Sequence, residues 1–213
     1  MNDTSLSPGT LPPGLHPETL AVREAVQRSQ WGEHSEALYL TSSFVQRDSD
    51  SAARRFALEE PGYTYTRTAN PTVDSFERRL AAMEGAECAI ATSTGMSAIL
   101  LVGLTMLKAG DHIVASQSMF GSTIKLLGSE MARFGVETTF VAQTDMAAWQ
   151  AALRPNTRLL FAETPTNPLT DLCDIAALAD LAHAHGALLA VDNSFASPIL
   201  QRPVQLGADL TVY

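Results

Sequence analysis

Residues 187–193 read Ala-Leu-Leu-Ala-Val-Asp-Asn, an apolar run that leads directly into the carboxylate of Asp192. An apolar run without alternation indicates a strand that is covered on both faces, as in a parallel sheet. Asp192 would then lie at the carboxyl end of this strand, the edge of an open α/β sheet where ligands bind. Either Asp192 caps the next turn, or it faces a protonated ring nitrogen of a bound ligand.

Strand and helix patterns alternate along the chain from about residue 87 onwards. This alternation predicts an α/β fold with a largely parallel sheet and helices on both of its faces. A helix that starts at Pro71 and ends near Gly85 precedes the alternating region. The predicted strands are residues 88–91, 112–116, 136–141, 158–163, 187–192 and 210–213, and the predicted helices are residues 98–107, 122–134, 146–153 and 175–185.

The N-terminal part of the chain lacks these alternating patterns. Residues 1–17 are rich in Pro, Gly and Ser, which predicts a flexible leader. Residues 19–30 have the spacing of a short helix, and residues 33–47 form an extended stretch with polar interruptions. We therefore expect residues 1–60 to be a leader and an arm without a core of its own, and residues 61–213 to be a ligand-binding α/β domain.

The composition bounds the function. The net charge is −9 and the only lysines are Lys108 and Lys125, which argues against a nucleic-acid surface because phosphate binding needs clustered Lys and Arg. Cys88 and Cys173 lie far apart with no metal-ligand spacing, so we expect no metal and interpret both as buried thiols of a reducing, cytoplasmic compartment. No secretory signal and no apolar run of about 20 residues is present, so we expect no membrane span.

Polar and aromatic residues follow several predicted strands. The turn at residues 92–97 joins a strand to a helix N-terminus, where small residues let backbone N–H groups converge on an anion. Phe120 could lie over a flat ligand, and the amide of Asn167, between two prolines, could bond a ligand oxygen. Each of these has an ordinary structural alternative: a tight turn, a core Phe and an Asn-Pro turn.

The loop at residues 61–72 carries a second candidate pair, Tyr65 and Arg67. In an extended segment these two side chains point the same way. A phenol beside a guanidinium suits a phosphate or a carboxylate, although a surface Arg with a packing Tyr is the simpler interpretation. The groups that follow the predicted strands, taken without this loop, match a phosphorylated aromatic pyridine better than a sugar nucleotide.

Ordered motifs across residues 19–213 make the sequence similar to a known family. They are Tyr65-Thr-Arg-Thr-Ala-Asn-Pro-Thr72, Thr94-Gly-Met-Ser-Ala98, Phe120-Gly-Ser-Thr123, Glu163-Thr-Pro-Thr-Asn-Pro168 and Val191-Asp-Asn-Ser-Phe195. The chain resembles the pyridoxal-phosphate enzymes of Cys/Met metabolism, the cystathionine γ-synthase-like family. The resemblance implies a fold-type I pyridoxal-phosphate-dependent transferase with pyridoxal 5'-phosphate as cofactor.

The resemblance also implies roles for particular residues. Backbone N–H groups of Gly95 and Met96 would hold the phosphate, Phe120 would stack on the pyridine ring, Asn167 would bond the ring oxygen, Asp192 would pair with the ring nitrogen, and Tyr65 and Arg67 would reach the phosphate of a neighbouring subunit. Sites shared in this way imply a homo-oligomer, and relatives suggest a tetramer. Many relatives carry Tyr at the position of Phe120, and the missing hydroxyl counts against a lyase that depends on it.

The family's Schiff-base lysine lies in a Ser-x-Thr-Lys segment shortly after a strand like residues 207–213, so we expect it beyond Tyr213. Neither Lys108 nor Lys125 matches that position, and no catalytic residue is assigned within the chain. We interpret the chain as the N-terminal part of an enzyme that lacks the family's C-terminal part.

For the complete protein, the resemblance implies γ-replacement on an O-acylhomoserine, first O-succinylhomoserine, with sulfide to give homocysteine in methionine biosynthesis. The alternatives are a cystathionine γ-synthase or γ-lyase activity, or a non-catalytic fragment. A non-catalytic fragment would bind phosphate-bearing ligands or partner subunits. An unrelated α/β enzyme that shares the motifs by chance is a further, weaker alternative.

Overall fold

The structure is a computed structural model that describes residues 11–12 and 14–213. Most of the predicted flexible leader at residues 1–17 lies outside the described residues. The chain divides into two compact units, one that ends at Ala91 and one that spans Thr92–Tyr213. The predicted division into a leader with an arm and a ligand-binding domain is a functional assignment and stays a prediction.

The first unit contains the helices α1 (Pro17–Arg23), α2 (Ser49–Phe56) and α3 (Pro71–Glu84). Helix α3 matches its prediction, because Asn70 accepts a hydrogen bond from the Thr72 N–H at its start and Gly85 adopts a left-handed conformation at its end. The predicted helix over residues 19–30 is wrong beyond α1, because the chain turns at Ala25, whose φ is 56°. No sequence pattern predicted α2.

The predicted extended stretch at residues 33–47 runs along the loop that contains Tyr65. Ser43 forms an isolated antiparallel bridge with Tyr65, and the Phe44 N–H donates to the Thr64 carbonyl oxygen at 3.1 Å. The side chains of Leu40 and Val45 are 93% and 98% exposed. These two apolar side chains therefore make few packing contacts within the chain.

A five-stranded parallel sheet forms the centre of the second unit. The strand order is β2-β1-β3-β4-β5, and the strands are β1 (His112–Ser116), β2 (Glu137–Val141), β3 (Thr157–Glu163), β4 (Leu188–Asp192) and β5 (Leu210–Val212). The predicted α/β class with a mostly parallel sheet is confirmed. Along β3, the central strand, every residue except Arg158 is buried, as expected for a strand covered on both faces.

The helices of this unit are α4 (Gly95–Met106), α5 (Gly121–Lys125), α6 (Met146–Ala152), α7 (Ile175–His185) and α8 (Ser197–Leu200), with a 3₁₀ turn at Pro203–Leu206. The predicted α-helix over residues 122–134 is correct only at its start, because a π-helical turn at Leu126–Glu130 and a 3₁₀ turn at Met131–Phe134 follow α5. The hydroxyl of Thr138, on β2, donates to the Leu127 carbonyl oxygen at 2.8 Å. A side chain that donates a hydrogen bond to a helix carbonyl in this way interrupts the regular i→i−4 hydrogen bonds of the helix.

Two apolar clusters cover the two faces of the sheet. On one face, Trp149 of α6 and Leu178 of α7 pack in the cluster that contains Leu160 of β3. On the other face, Ile99 of α4 packs in the cluster that contains Phe161, the next residue of β3. Successive strand residues thus point to opposite faces, which confirms the predicted helices on both sides.

Two predictions near the cysteines are wrong: residues 88–91 do not form a strand, and neither cysteine is fully buried. No strand forms at residues 88–91, because the Ala91 N–H donates to the Glu77 carboxylate at 2.7 Å instead of to a neighbouring strand. Cys88 is exposed as a consequence, while Cys173 is partly buried. Burial raises the pKa of the Cys173 thiol to about 11.

Among the described residues, no helix is both long enough and apolar enough to cross a membrane. The same residues contain no group of three or more His, Cys, Asp or Glu side chains that could hold a metal ion.

His112, at the start of β1, makes the stability of the sheet depend on pH. Its ring is fully buried, and its two nitrogens pair with the hydroxyls of Thr157 and Thr139, each at 2.8 Å. Burial, helped by the nearby charge of Arg154, lowers the pKa of His112 below 6.5, while Glu137 acts in the opposite direction. The unfolded chain therefore binds the proton more readily, and stability is lost as the pH falls from 6.5 towards the lowered pKa.

We expect the free energy of unfolding to fall less between about pH 7.5 and about pH 5.5 in His112→Gln than in the unchanged chain. Urea unfolding at both pH values measures this slope. His34→Gln, which removes an exposed imidazole, is the matched control. Equal slopes in the unchanged chain and in His112→Gln would contradict the prediction.

Candidate active site

A cavity of about 200 Å³ lies at the carboxyl edge of the sheet. In the strand order, β1 is followed along the chain by β2 on one side, whereas β3 is followed by β4 on the other. Loops that leave adjacent strands in opposite directions open a crevice, the usual ligand site in open α/β sheets. The cavity is lined by the predicted residues Gly95, Met96, Phe120, Asn167 and Asp192, and also by Ile99, Thr123, Glu163, Pro165, Ser194 and Phe195.

The N-terminus of α4 forms one wall of this cavity. The helix starts at Gly95, earlier than the predicted residue 98, and Thr94 caps it by accepting a hydrogen bond from the Ser97 N–H at 3.1 Å. Gly95 and Met96 therefore lie in the first turn, where backbone N–H groups have no acceptor within the helix. A Cβ atom at Gly95 would come within 3.2 Å of the Tyr213 carbonyl oxygen, so glycine permits this close approach.

Asp192 ends β4 and contributes a carboxylate to the cavity. The residue is only 8% exposed, and its Oδ1 accepts a hydrogen bond from the Ser194 N–H at 3.0 Å. The structure thus combines both interpretations of this residue, since one carboxylate caps the following turn and also lines the cavity.

Phe120 and Asn167 lie on the two loops that follow β1 and β3. Phe120 is 44% exposed, so it is not the core residue that was the simpler alternative. Both backbone N–H groups donate to the carboxylate of Glu163, Phe120 to Oε2 and Asn167 to Oε1, each at 2.7 Å. The backbones of the residues that carry the predicted stacking ring and the predicted amide are therefore held by one common acceptor.

Sequence reasoning assigned no role to Glu163, which is only 5% exposed. Burial raises the pKa of this carboxyl group, the two donated N–H groups lower it, and the charge of Asp192 raises it. The signal that could have found it is the one that identified Asp192, a carboxylate at the end of an apolar strand. Ser194, Thr123 and Phe195 also line the cavity without having been predicted.

Tyr65 and Arg67 belong to the first unit. The guanidinium carbon of Arg67 lies 5.6 Å from the centre of the Tyr65 ring, within the range of a cation–π contact. Their predicted approach to a neighbouring subunit stays a prediction. Neither lysine lines the cavity, because Lys125 ends α5 and Lys108 follows α4, where its N–H donates to Asp111.

These groups fit pyridoxal phosphate. First-turn amides at one wall offer donors to a phosphate, and the exposed ring of Phe120 offers a flat surface. The cavity contains the carboxylates of Asp192 and Glu163, and no Lys or Arg is among its described lining residues. A buried negative charge without a positive side chain beside it favours a ligand that brings its own cation, such as a protonated pyridine.

Comparison with known proteins gives the same family. The family model described as "Cys/Met metabolism PLP-dependent enzyme" matches residues 18–213. The chain is 54% identical over 196 residues to an O-succinylhomoserine sulfhydrylase of Pseudomonas aeruginosa, which covers 92% of the chain and 49% of that protein. It is 44% identical over 207 residues to the enzyme of the same name in Mycobacterium tuberculosis, with 97% and 51% covered.

A solved structure extends the likeness to three dimensions. The putative O-acetylhomoserine (thiol)-lyase of Campylobacter jejuni superposes with a TM-score of 0.88 at 29% identity, over 93% of this chain and 50% of that one. That structure carries an N'-pyridoxyl-lysine-5'-monophosphate group. The chain spans about half the length of the curated relatives it matches. With a family model that matches nearly its whole length, the chain belongs to the Cys/Met metabolism PLP-dependent enzyme family.

Proposed function

We propose that the whole protein uses pyridoxal phosphate to replace the γ substituent of O-succinylhomoserine with sulfide, which yields homocysteine and succinate for methionine biosynthesis. The observation that carries this proposal is the buried carboxylate of Asp192 in the same cavity as the first turn of α4. The cavity therefore offers a carboxylate to a heteroaromatic cation and first-turn N–H groups to its phosphate.

The proposed roles are those that the family resemblance implies, and the presence of these residues in one cavity supports them. Gly95 and Met96 would hold the phosphate through their backbone N–H groups, and Asp192 would keep the ring nitrogen protonated. Asn167 would fix the ring oxygen, and Phe120 would cover one face of the ring and exclude water from it. When bound, pyridoxal phosphate supplies an electron sink for the carbanion that forms on the substrate.

No residue of this chain is proposed to form the covalent link to the cofactor, because neither Lys108 nor Lys125 lines the cavity. We place that lysine in the residues that follow Tyr213 in the whole protein. The Tyr213 carbonyl oxygen lies beside Gly95, so the chain leaves β5 next to the proposed phosphate site. A lysine a few residues further on would be close to the ring.

The preference for sulfide addition over γ-elimination is supported by Phe120. Its ring offers a stacking surface without the hydroxyl that many members of the family present at this position. The O-succinylhomoserine sulfhydrylase at 54% identity supports the same preference. A γ-lyase or cystathionine γ-synthase activity is the second candidate, because the residues proposed to bind the cofactor would serve these reactions equally well.

We further propose a cytoplasmic homotetramer in which the Tyr65 and Arg67 loop of one subunit completes the phosphate site of its neighbour. The exposed apolar side chains of Leu40 and Val45 on the arm support such an assembly. In this proposal residues 1–60 act as leader and arm, and residues 61–213 bind the cofactor.

The test is incubation of the whole protein and pyridoxal phosphate with O-succinylhomoserine and sulfide, followed by quantification of homocysteine. We expect homocysteine to form, and to form more slowly from O-acetylhomoserine. Parallel reactions with cystathionine and methionine measure 2-oxobutyrate. Release of 2-oxobutyrate without homocysteine would replace the proposal with a γ-lyase. A further reaction of O-succinylhomoserine with cysteine that gives cystathionine, without homocysteine from sulfide, would replace it with a cystathionine γ-synthase. No product in any of these reactions would contradict both candidates.

A separate test on the chain of 213 residues is borohydride reduction with increasing amounts of pyridoxal phosphate. Lys108 and Lys125 are both exposed and lie outside the cavity, so we expect any pyridoxyl adduct on them to rise in proportion to the pyridoxal phosphate added, without saturating. A saturable adduct on either lysine, measured by mass spectrometry, would contradict the proposed position of the covalent link.

A further inference from the structure

We propose that Glu163 is a positioning residue whose carboxylate brackets the site, holding Phe120 and Asn167 in fixed places across the crevice. The contacts of this bracket are independent of any ligand. Its consequence for pyridoxal phosphate rests on the proposed function.

The two bonds of the bracket join loops that diverge. The Phe120 loop leaves β1 towards β2, and the Asn167 loop leaves β3 towards β4, on opposite sides of the point where the strand order reverses. Glu163 ends β3 and accepts the Phe120 N–H on Oε2 and the Asn167 N–H on Oε1, each at 2.7 Å. One side chain therefore fixes the separation between the backbone N–H groups of Phe120 and Asn167, two residues that line the cavity.

The chemistry of the bracket requires a carboxylate. Both donors are backbone N–H groups, and a carboxylate presents an acceptor oxygen to each of them. Hydrogen bonds to an ionised acceptor are short and strong, in keeping with the two 2.7 Å distances. A glutamine in the same place has one acceptor oxygen, so its NH₂ group would face one of the N–H donors.

Glu163 differs in this respect from its neighbour Asp192, with which it is paired in the register of β3 and β4. Asp192 uses Oδ1 for the Ser194 N–H, and we propose that the same carboxylate meets the ring nitrogen. Glu163 has each oxygen engaged by one of the loops. It therefore acts on a ligand through Phe120 and Asn167, and its charge adds to the negative potential around the proposed cation.

The experiment compares Glu163→Gln with the unchanged whole protein. Hydrogen exchange without cofactor, followed by mass spectrometry of peptides that contain Phe120 and Asn167, reports the bracket directly. We expect exchange of at least one of these N–H groups to become about 10-fold faster or more, as the loss of a charge-assisted hydrogen bond implies. Fluorescence titration with pyridoxal phosphate should show Kd raised by about 10-fold or more.

Glu137→Gln is the matched control, because it makes the same change on β2 at the opposite edge of the sheet, where the side chain is 73% exposed. We expect both readouts to stay within about 2-fold of the unchanged protein. Glu163→Asp, which keeps the charge on a shorter side chain, is the second variant and replaces Gln if that variant does not fold. We expect it to retain only one of the two protected N–H groups.

The outcomes separate the bracket from the proposed function. Unchanged exchange in both Glu163 variants would overturn the bracket. Faster exchange with an unchanged Kd would overturn its role in positioning the cofactor groups. If the unchanged protein shows the bracket by exchange but binds no pyridoxal phosphate, the bracket stands and the proposed function fails.

Discussion

Asp192→Asn is expected to weaken pyridoxal phosphate binding to the whole protein by about 100-fold or more, and to lower the rate of homocysteine formation by at least as much. Asp192 is only 8% exposed, so a cation beside it has little water to replace the lost charge. Removing one partner from a buried pair of charges costs about 3–5 kcal/mol. Asparagine keeps the shape and can still accept the Ser194 N–H, so the change is confined to charge.

Asp174→Asn is the control for this substitution. Asp174 caps α7 by accepting the Ala177 N–H at 3.0 Å, and Asn is an equally good residue at a helix N-cap. Fluorescence titration and initial rates of homocysteine formation should therefore match the unchanged protein. An Asp192→Asn variant that binds the cofactor within about 3-fold of the unchanged protein would contradict the proposed role of this carboxylate.

Phe161→Ala should destabilise the chain by about 3–5 kcal/mol, the usual cost of removing a fully buried phenyl ring. Phe161 lies in β3, the central strand, has no exposed surface, and packs in the cluster that contains Ile99 of α4. A void at this place would remove packing contacts from α4, the helix whose first turn contains Gly95 and Met96. Because domains are stable by only about 5–15 kcal/mol, this is a large share of the total.

Urea unfolding measures the loss as a lower midpoint at an unchanged slope. The matched control is Phe134→Ala, because Phe134 ends the 3₁₀ turn after α5 and is 58% exposed. We expect that control to cost less than about 1 kcal/mol. A similar loss of unfolding free energy in both variants would contradict the prediction that the buried ring of Phe161 contributes more to stability than the exposed ring of Phe134.

The sheet could be predicted from the sequence because apolar runs and helix ends are local signals. Helix α7 and strand β1 have the bounds that the pattern predicts. The break after α5 depends on Thr138, a residue of the following strand, and no pattern within residues 122–134 could show it. The sequence pattern could not show that residues 88–91 form no strand, because that outcome also depends on a distant residue. Glu77 of α3 accepts the Ala91 N–H that would otherwise bond a neighbouring strand.

The candidate site was predictable where a residue follows a strand, because parallel strands bring their carboxyl ends to one edge. Phe120, Asn167 and Asp192 meet in one cavity for this reason. Gly95 lines the same cavity at the start of α4, although the residues directly before it form no strand. Glu163 escaped because its part depends on contacts with two loops that are distant in sequence. The proposed approach of Tyr65 and Arg67 to a neighbouring subunit stays a prediction, because it depends on assembly.

The insertion of β3 between β1 and β4 has a consequence for folding. Its partners include Ile113 on one side and Leu188 on the other, paired through Leu159. Each of these pairs joins residues that are distant in sequence, so the entropy of closing a long loop is lost before the strands can form their hydrogen bonds. Pairing of this kind raises the contact order, and we expect the chain to fold slowly. Until the sheet closes, strands as apolar as β3 stay open to misassociation, and refolding at high concentration should favour aggregates over the native chain.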